Sequence, residues 1–160
     1  MTARQEVPKI RPAIEGDLSD LTELYAHLGS NDFPAAETVQ KATFKKILDH
    51  SGMTILVASI EAKLVATLTL VIVPNLTQGC APYALIENVV TRSEHRGQGI
   101  GQQLIAAAIQ RAWDNGCYKV MLMSGSRNQK AHTFYQRAGF QQSKTGFEIR
   151  RSGYPVRTIR

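Results

Sequence analysis

Cysteine is scarce. The 160 residues hold two, Cys80 and Cys117, with no metal-ligand spacing between them or toward the four scattered histidines. A disulfide framework or a cysteine-based metal site is therefore not expected, and free thiols fit a reducing, cytoplasmic setting. Long apolar runs are missing too. The longest, Leu64 to Val73, is broken by threonines and stops at Pro74, far short of a membrane span. Met1 to Pro8 contains no apolar stretch, so no secretory leader is expected. Aromatic residues make up only 7%, with a single tryptophan. They are not interleaved with basic residues as in single-strand nucleic-acid binders. No internal repeat or low-complexity segment is present.

Acidic charge is what the second half lacks. Residues 1–91 carry a net charge of −3, residues 92–137 a net +5 and residues 138–160 a net +4. The positive half would attract a polyanion. With 43% hydrophobic residues the chain can bury a core, and residues 1–160 are expected to form one domain.

Hydrophobic periodicity lays out the elements. Lys9 to Ala13 reads as a short strand limited by Pro12. Asp17 to Leu28 reads as a helix, ended by Gly29-Ser30-Asn31-Asp32. A second helix is expected over Ala35 to Asp49. Met53 to Ile60 and Lys63 to Val73 are β-branched runs that read as a hairpin. Its turn, Glu61-Ala62, lacks the usual glycine, which predicts a loop longer than two residues. Tyr83 to Val90 is a further strand, and Arg92 to Gly97 a charged turn. A strong helix spans Gly101 to Asn115 and is closed by Gly116. Tyr118 to Met123 reads as a strand, Ser124 to Arg127 as a turn, and Asn128 to Ala138 as a helix closed by Gly139. One or two more strands are expected between Phe140 and Arg160. The order predicts a mixed α/β sheet with helices on both faces.

The densest chemical signal is Arg96-Gly97-Gln98-Gly99-Ile100-Gly101, a glycine-rich turn between a strand and a helix. The first N–H groups of a helix have no partners inside it, and the helix dipole adds positive potential there. Glycines let an anion approach that backbone. The loop is thus suited to phosphate. The glycine spacing does not match the dinucleotide fingerprint G-x-G-x-x-G. Gln102-Gln103 stands where a P-loop needs Lys-Ser/Thr.

Arg96-x-x-Gly99-x-Gly101 resembles the coenzyme A signature of the GCN5-related N-acetyltransferase (GNAT) superfamily. The likeness extends through Ile86 to Thr91, Gly116 to Val120, and Asn128 to Phe140, in the family's order, and covers about Lys9 to Arg150. It implies the GNAT fold, a mixed, mostly antiparallel sheet of six to seven strands with about four helices. It implies acetyl-CoA as cosubstrate and direct acetyl transfer to a primary amine. The pantetheine arm would fall on Val89, Val90 and Thr91. The pyrophosphate would fall on the amides of Arg96, Gly97, Gln98, Gly99, Ile100 and Gly101.

Other residues keep two readings each. Asn128 matches the family's asparagine beside the pantetheine, and equally suits a helix N-cap. Tyr135 matches the usual general acid, which protonates the departing thiolate; otherwise it packs beside Phe134. Glu87, placed by strand alternation on the same face as Val89, is a candidate base for the ammonium proton or a partner for a nearby cation. Cys117 has no base near it in sequence and reads as a small buried hydrophobe rather than a nucleophile. His95 and His132 read as surface residues, and no metal is expected.

Within the superfamily, Ile86 to Val90, Arg96 to Gly99 and Gly116 to Lys119 look like the small glucosamine-6-phosphate N-acetyltransferase type. Asn88 departs from it where aspartate is usual, and so does the Ser124 to Arg127 turn. The resemblance implies an amino sugar or another small amine as the acceptor. The alternatives are a protein or peptide amine, or a non-catalytic coenzyme A sensor. That type of enzyme often shares its last strands between two subunits, which implies a homodimer. The basic residues Lys144, Arg150, Arg151, Arg157 and Arg160 either meet an anionic acceptor or form a solvated surface. Neither a membrane nor nucleic acid is expected as a partner.

Overall fold

A computed structural model of the chain describes residues 7–29 and 35–154. Five strands form one sheet in the order β1-β2-β3-β4-β5, with β1 (Lys9–Pro12), β2 (Met53–Ile60), β3 (Lys63–Val73), β4 (Tyr83–Thr91) and β5 (Val120–Leu122). Pairings among β1 to β4 are antiparallel, and β4 pairs with β5 in parallel. The helices are α1 (Leu18–Tyr25), α2 (Glu37–Leu48), α3 (Ile100–Asp114) and α4 (Gln129–Arg137). Ser30 to Asp32 of the stop expected after the first helix, and Arg157 and Arg160 of the basic tail, lie outside the described residues.

The sheet is covered on both faces, so its central strands are apolar in both directions. Leu56 and Ala58 of β2 join Ala66, Leu68 and Leu70 of β3 in one core beneath α3 and α4. Ile55 and Val57 point the other way, into a second core with Leu21 and Leu24 of α1 and Phe44 of α2. Leucines at positions 18, 21 and 24 give α1 its apolar stripe, and Leu104, Ile105, Ala108 and Ala112 give α3 its own. Arg11 of β1 donates both guanidinium arms to Asp17, at 2.6 and 2.9 Å, and Asp17 also accepts from the Ile14 N–H at 2.8 Å. The hydrogen bonds from Arg11 hold the Asp17 carboxyl below the usual carboxylate range. A depressed folded value means that this joint stabilises the fold at neutral pH and is lost in acid, as Asp17 protonates.

α3 and α4 each end in a Schellman motif. After α3 the Gly116 N–H bonds Trp113 O at 2.9 Å and the Cys117 N–H bonds Ala112 O at 3.0 Å. After α4 the Gly139 N–H bonds Gln136 O at 3.0 Å and the Phe140 N–H bonds Tyr135 O at 3.1 Å. Each terminal glycine has positive φ, 74° and 94°.

Two expectations are corrected. The sheet has five strands among the described residues, not six or seven, because Gln141 to Arg150 lie exposed in no strand. The β2–β3 connection is a two-residue turn after all. Ile60 pairs with Lys63, and Glu61 and Ala62 take φ of 47° and 66° without a glycine. Two positive-φ residues are what a type I′ hairpin requires. The twist of the flanking strands therefore prevails over local preference, at about 1 kcal/mol or more per non-glycine residue. Ala62→Gly should stabilise the protein by roughly 0.5–1 kcal/mol, with a higher urea midpoint and an unchanged slope.

Candidate active site

The site begins where β4 and β5 part. β5 pairs with β4 only over Ala84, Leu85 and Ile86, while β4 continues to Thr91. Beyond Ile86, β4 keeps its ladder to β3 on one side, and no described strand pairs with the other. A β-bulge sits at the fork. Thr69 pairs with Glu87 and Thr67 with Val90, so Asn88 and Val89 together oppose Leu68. Asn88 takes φ of 52°, a conformation that asparagine tolerates better than most residues.

The bulge overturns the expected alternation. Val89 packs into the core under α3, with Ile86, whereas Val90 is buried in the α1/α2 core. Glu87 faces the α1/α2 side opposite Thr69, so it does not share a face with Val89. Its charge is nevertheless felt at Tyr135 on α4. Burial pushes the Tyr135 hydroxyl above the usual phenol range, and the Glu87 charge pushes it further. Tyr135 is half-buried between the rings of Phe134 and Phe140, edge-on at 5.1 and 6.1 Å. The Schellman motif accounts for the second contact, since it brings Phe140 back over Tyr135.

After β4 the chain makes one turn of 3-10 helix, Ser93–His95, and enters the glycine loop. Gly97 and Gly99 have φ of 76° and 79°, and a Cβ built on either would meet nothing within 4 Å beyond its chain neighbours. They serve the backbone turn and leave the space before α3 open. Gly101 differs. A Cβ there would stand 3.2 Å from the Phe134 ring and 3.5 Å from the Thr91 hydroxyl. It is the point at which α3, α4 and the end of β4 touch. Gln102 locks the same junction by donating to Phe134 O at 2.9 Å. Arg96 folds its side chain back to donate to Thr91 O at 3.1 Å, Gln98 donates to Glu94 O, and Ile100 is buried in the core. Asn128 is the N-cap of α4, its Oδ1 accepting from the Ala131 N–H at 3.1 Å. Cys117 is buried with its thiol pushed up by burial, which suits a packing residue. His132 meets Gly125 O at 2.9 Å. His95 is half-buried rather than a surface residue, with its Nδ1 enclosed in the turn.

A sequence model of the acetyltransferase (GNAT) family matches residues 18–140. The chain belongs to that family. It is 31% identical over 135 residues to the glucosamine 6-phosphate N-acetyltransferase of Trypanosoma brucei brucei, covering 83% of this chain and 88% of that protein. Its structure is similar to a putative acetyltransferase from Agrobacterium tumefaciens, with 46% identity and a TM-score of 0.87, covering 89% and 99% of the two chains. It is also similar to a Bacillus halodurans protein described as a transcriptional regulator, with 31% identity and a TM-score of 0.81, covering 90% and 99%. Family membership makes the chain an N-acetyltransferase and implies an acyl donor and an amine acceptor.

Three features of this acetyltransferase are not evident in its sequence. Arg92 looks like one charge of an exposed turn, yet it is buried. Its Nε donates to Leu64 O at 2.8 Å, its backbone N–H to Val65 O at 2.9 Å, and its Nη2 to Glu23 at 3.0 Å. It ties the end of β4 to β3 and α1 just before the loop. Thr67 and Thr69, buried in the middle of β3, are the second, and Tyr25 at the end of α1 the third. The only sequence signal for the threonines is their spacing of two within an apolar strand. Arg92→Ala leaves Leu64 O without its buried donor and should cost about 1–3 kcal/mol in urea unfolding. Arg96→Ala, at an exposed position, should stay within about 0.5 kcal/mol.

Proposed function

We propose that this acetyltransferase moves an acetyl group from acetyl-CoA to the primary amine of a small molecule, an amino sugar or another small amine. The observation that carries the proposal is the fork itself. An unpaired strand edge and an open glycine loop at a helix start meet at one end of β4, and Glu87 on that strand acts electrostatically on the Tyr135 phenol.

The open space at Gly97 and Gly99 fits a ligand phosphate, because partnerless amides at the start of α3 face it without a side chain in the way. The amides from Gly97 to Gly101 would hold the pyrophosphate, with Arg96, whose own N–H donates to Ser93 O, beside them, and the edge of Val89, Val90 and Thr91, where the Thr91 carbonyl accepts from Arg96, would pair with the pantetheine amides. Asn128 is engaged as an N-cap through Oδ1, which leaves its amide N–H groups for a pantetheine contact. Acetyl-CoA, when bound, supplies an acetyl group on a thioester and leaves as the free thiol. Glu87 takes the proton that the amine loses as its nitrogen bonds to the acetyl carbon. Tyr135 gives its phenolic proton to sulfur as the carbon–sulfur bond breaks. An upward-shifted phenol stays protonated through neutral pH, as a proton donor must.

Released thiol, followed with a panel of glucosamine 6-phosphate, glucosamine, an aminoglycoside, spermidine and a lysine peptide, tests the reading. A small amine should give turnover. Turnover with the peptide alone would favour a protein acceptor. A rise in melting temperature with acetyl-CoA but no turnover would favour a coenzyme A sensor. Tyr135→Phe should lower kcat at least a hundredfold and change acetyl-CoA affinity by less than about threefold. Glu87→Gln should lower the pH at which Tyr135 ionises, read from tyrosinate absorbance against Tyr135→Phe, because it removes a negative charge that opposes the phenolate.

The proposal extends to a homodimer. Phe147 and Ile149 are more than nine-tenths exposed. They are spaced by two, so an extended chain presents both on one face. β5 pairs only with β4 among the described residues, which leaves an open edge that another strand can use. A second copy of the chain would cover both. Sedimentation velocity should show a dimer, and Phe147→Asp combined with Ile149→Lys should give a monomer. A wild type that stays monomeric across the accessible concentrations would remove the dimer from the proposal.

A further inference from the structure

Glu87 stands on a face of the sheet that the helices cover only in part. Leu70 and Ile72 of β3, Ala84 and Ile86 of β4, and Val120 and Leu122 of β5 all belong to the core beneath α3. Val71, Leu85 and Met121 lie between them in sequence and so project to the opposite side, the side of Glu87. The register joins them into one row. Met53 of β2 is the partner of Val71, Val71 of Leu85, and Leu85 of Met121. All four are half-buried, and among the described residues they pack into neither core. Ile55 and Val57, further along β2 on the same side, are buried under α1 and α2. The row therefore lies at the limit of the helical cover.

It crosses four strands, which at the usual strand spacing is a stripe about 14 Å long. Glu87 and its partner Thr69 form the next row, one side-chain step of about 7 Å away. On the far side of the stripe Lys119 lies over the rings of Tyr83 and Tyr118, at 5.3 and 5.2 Å, so its charge is already engaged. Apolar surface left open to water marks a binding surface. Here its neighbour decides the occupant. Glu87 is an exposed carboxylate. A ligand that carries an ammonium next to an apolar group satisfies both rows at once: the ammonium meets Glu87, and the apolar group leaves water over Leu85. A hydroxyl-rich ligand would set its polar groups against valine, leucine and methionine, which return no hydrogen bond of comparable strength.

We propose that the acceptor is a primary amine bearing an apolar group, of the arylalkyl or alkyl class, whose ammonium meets Glu87 and whose apolar body lies on Val71, Leu85 and Met121. The inference rests on the acetyl-transfer reading above and narrows its acceptor. It explains why the row beside a charged residue is apolar although no helix covers it.

Ethylamine, 2-phenylethylamine and glucosamine 6-phosphate, compared by released thiol, test it. The first two share an ammonium on a two-carbon arm and differ by one ring. The kcat/KM for 2-phenylethylamine should exceed that for ethylamine at least about tenfold, which burial of about 60 Å² of apolar surface supplies. It should also exceed that for glucosamine 6-phosphate. Met121→Gln and Val71→Thr keep the side-chain size and add a polar group. Each should lower the ratio of 2-phenylethylamine to ethylamine at least about threefold, while Met121→Leu should hold it within about twofold. A smaller wild-type ratio, or a preference for the sugar phosphate, overturns this inference and leaves the proposed function standing. Variants that slow both amines alike and keep the wild-type ratio also overturn it, because they mark a structural role. If those variants sediment as monomers where the wild type is a dimer, a second copy covers the row instead. A wild type that releases no thiol with these amines or with the panel above overturns both readings.

Discussion

Two parallel strands that begin as neighbours and then separate leave backbone polar groups along the parted edge without a strand partner, although here the Thr91 carbonyl accepts from the Arg96 side chain. Here β4 and β5 do so after Ile86 and Leu122. Unpaired backbone in a protein interior is costly unless water or a ligand satisfies it. The separation must therefore be enforced by something stronger than the pairing it forgoes. The bulge at Asn88 turns β4 on the β3 side, where the ladder to Thr67 and Ala66 holds the remainder in place. Arg92 then anchors the end of the strand to β3 and α1 through three hydrogen bonds. With β4 fixed from one side, its other edge can stay open.

The wedge that keeps the fork apart is built from α3 and α4. Gly101 has no side chain, so the Phe134 ring can lie against the start of α3. Gln102 fastens the contact from α3 to the backbone of α4. The Schellman turn after α4 brings Phe140 over Tyr135, so the phenol is clamped between two rings before any ligand arrives. Such prior ordering is what catalysis by positioned groups requires. Gly101 at the start of α3 therefore lets the helix carrying Tyr135 approach.

The helices were legible because their periods and closing glycines act locally. Gly116 and Gly139 stand where the chain must adopt positive φ, and no distant contact has to be known to see it. The glycine loop was legible for the same reason, since its spacing alone departs from the dinucleotide fingerprint and the P-loop. The hairpin turn at Glu61-Ala62 was misread because strand twist, a property of the whole sheet, set its conformation. The bulge was invisible for a related cause. Ile86 to Thr91 reads as an unbroken strand, and the extra residue shows only against its partner β3. Arg92 and Tyr25 were missed because a charged turn and an apolar helix stripe give no sign of which neighbour they meet. The missing outer strands belong to the same class, for Gln141 to Arg150 need a surface that the described part of the chain does not offer them.

On the roles proposed above, a carboxylate whose charge is felt at Tyr135 has a consequence for the order of proton transfers. While Glu87 is charged it holds the Tyr135 proton in place, adding to the effect of burial. A free phenol already lies about 1.5 pKa units above a thiol, so giving its proton to sulfur is uphill by about 2 kcal/mol or more. On the roles proposed above, that balance changes during turnover. Once Glu87 has taken the proton from the amine its charge is gone, and the part of the Tyr135 shift due to that charge goes with it. The phenol becomes a stronger acid only after the amine has been deprotonated. Coupling of this kind favours proton delivery to sulfur after attack rather than before it, and it needs no moving part. It requires only that the Glu87 charge be felt at Tyr135.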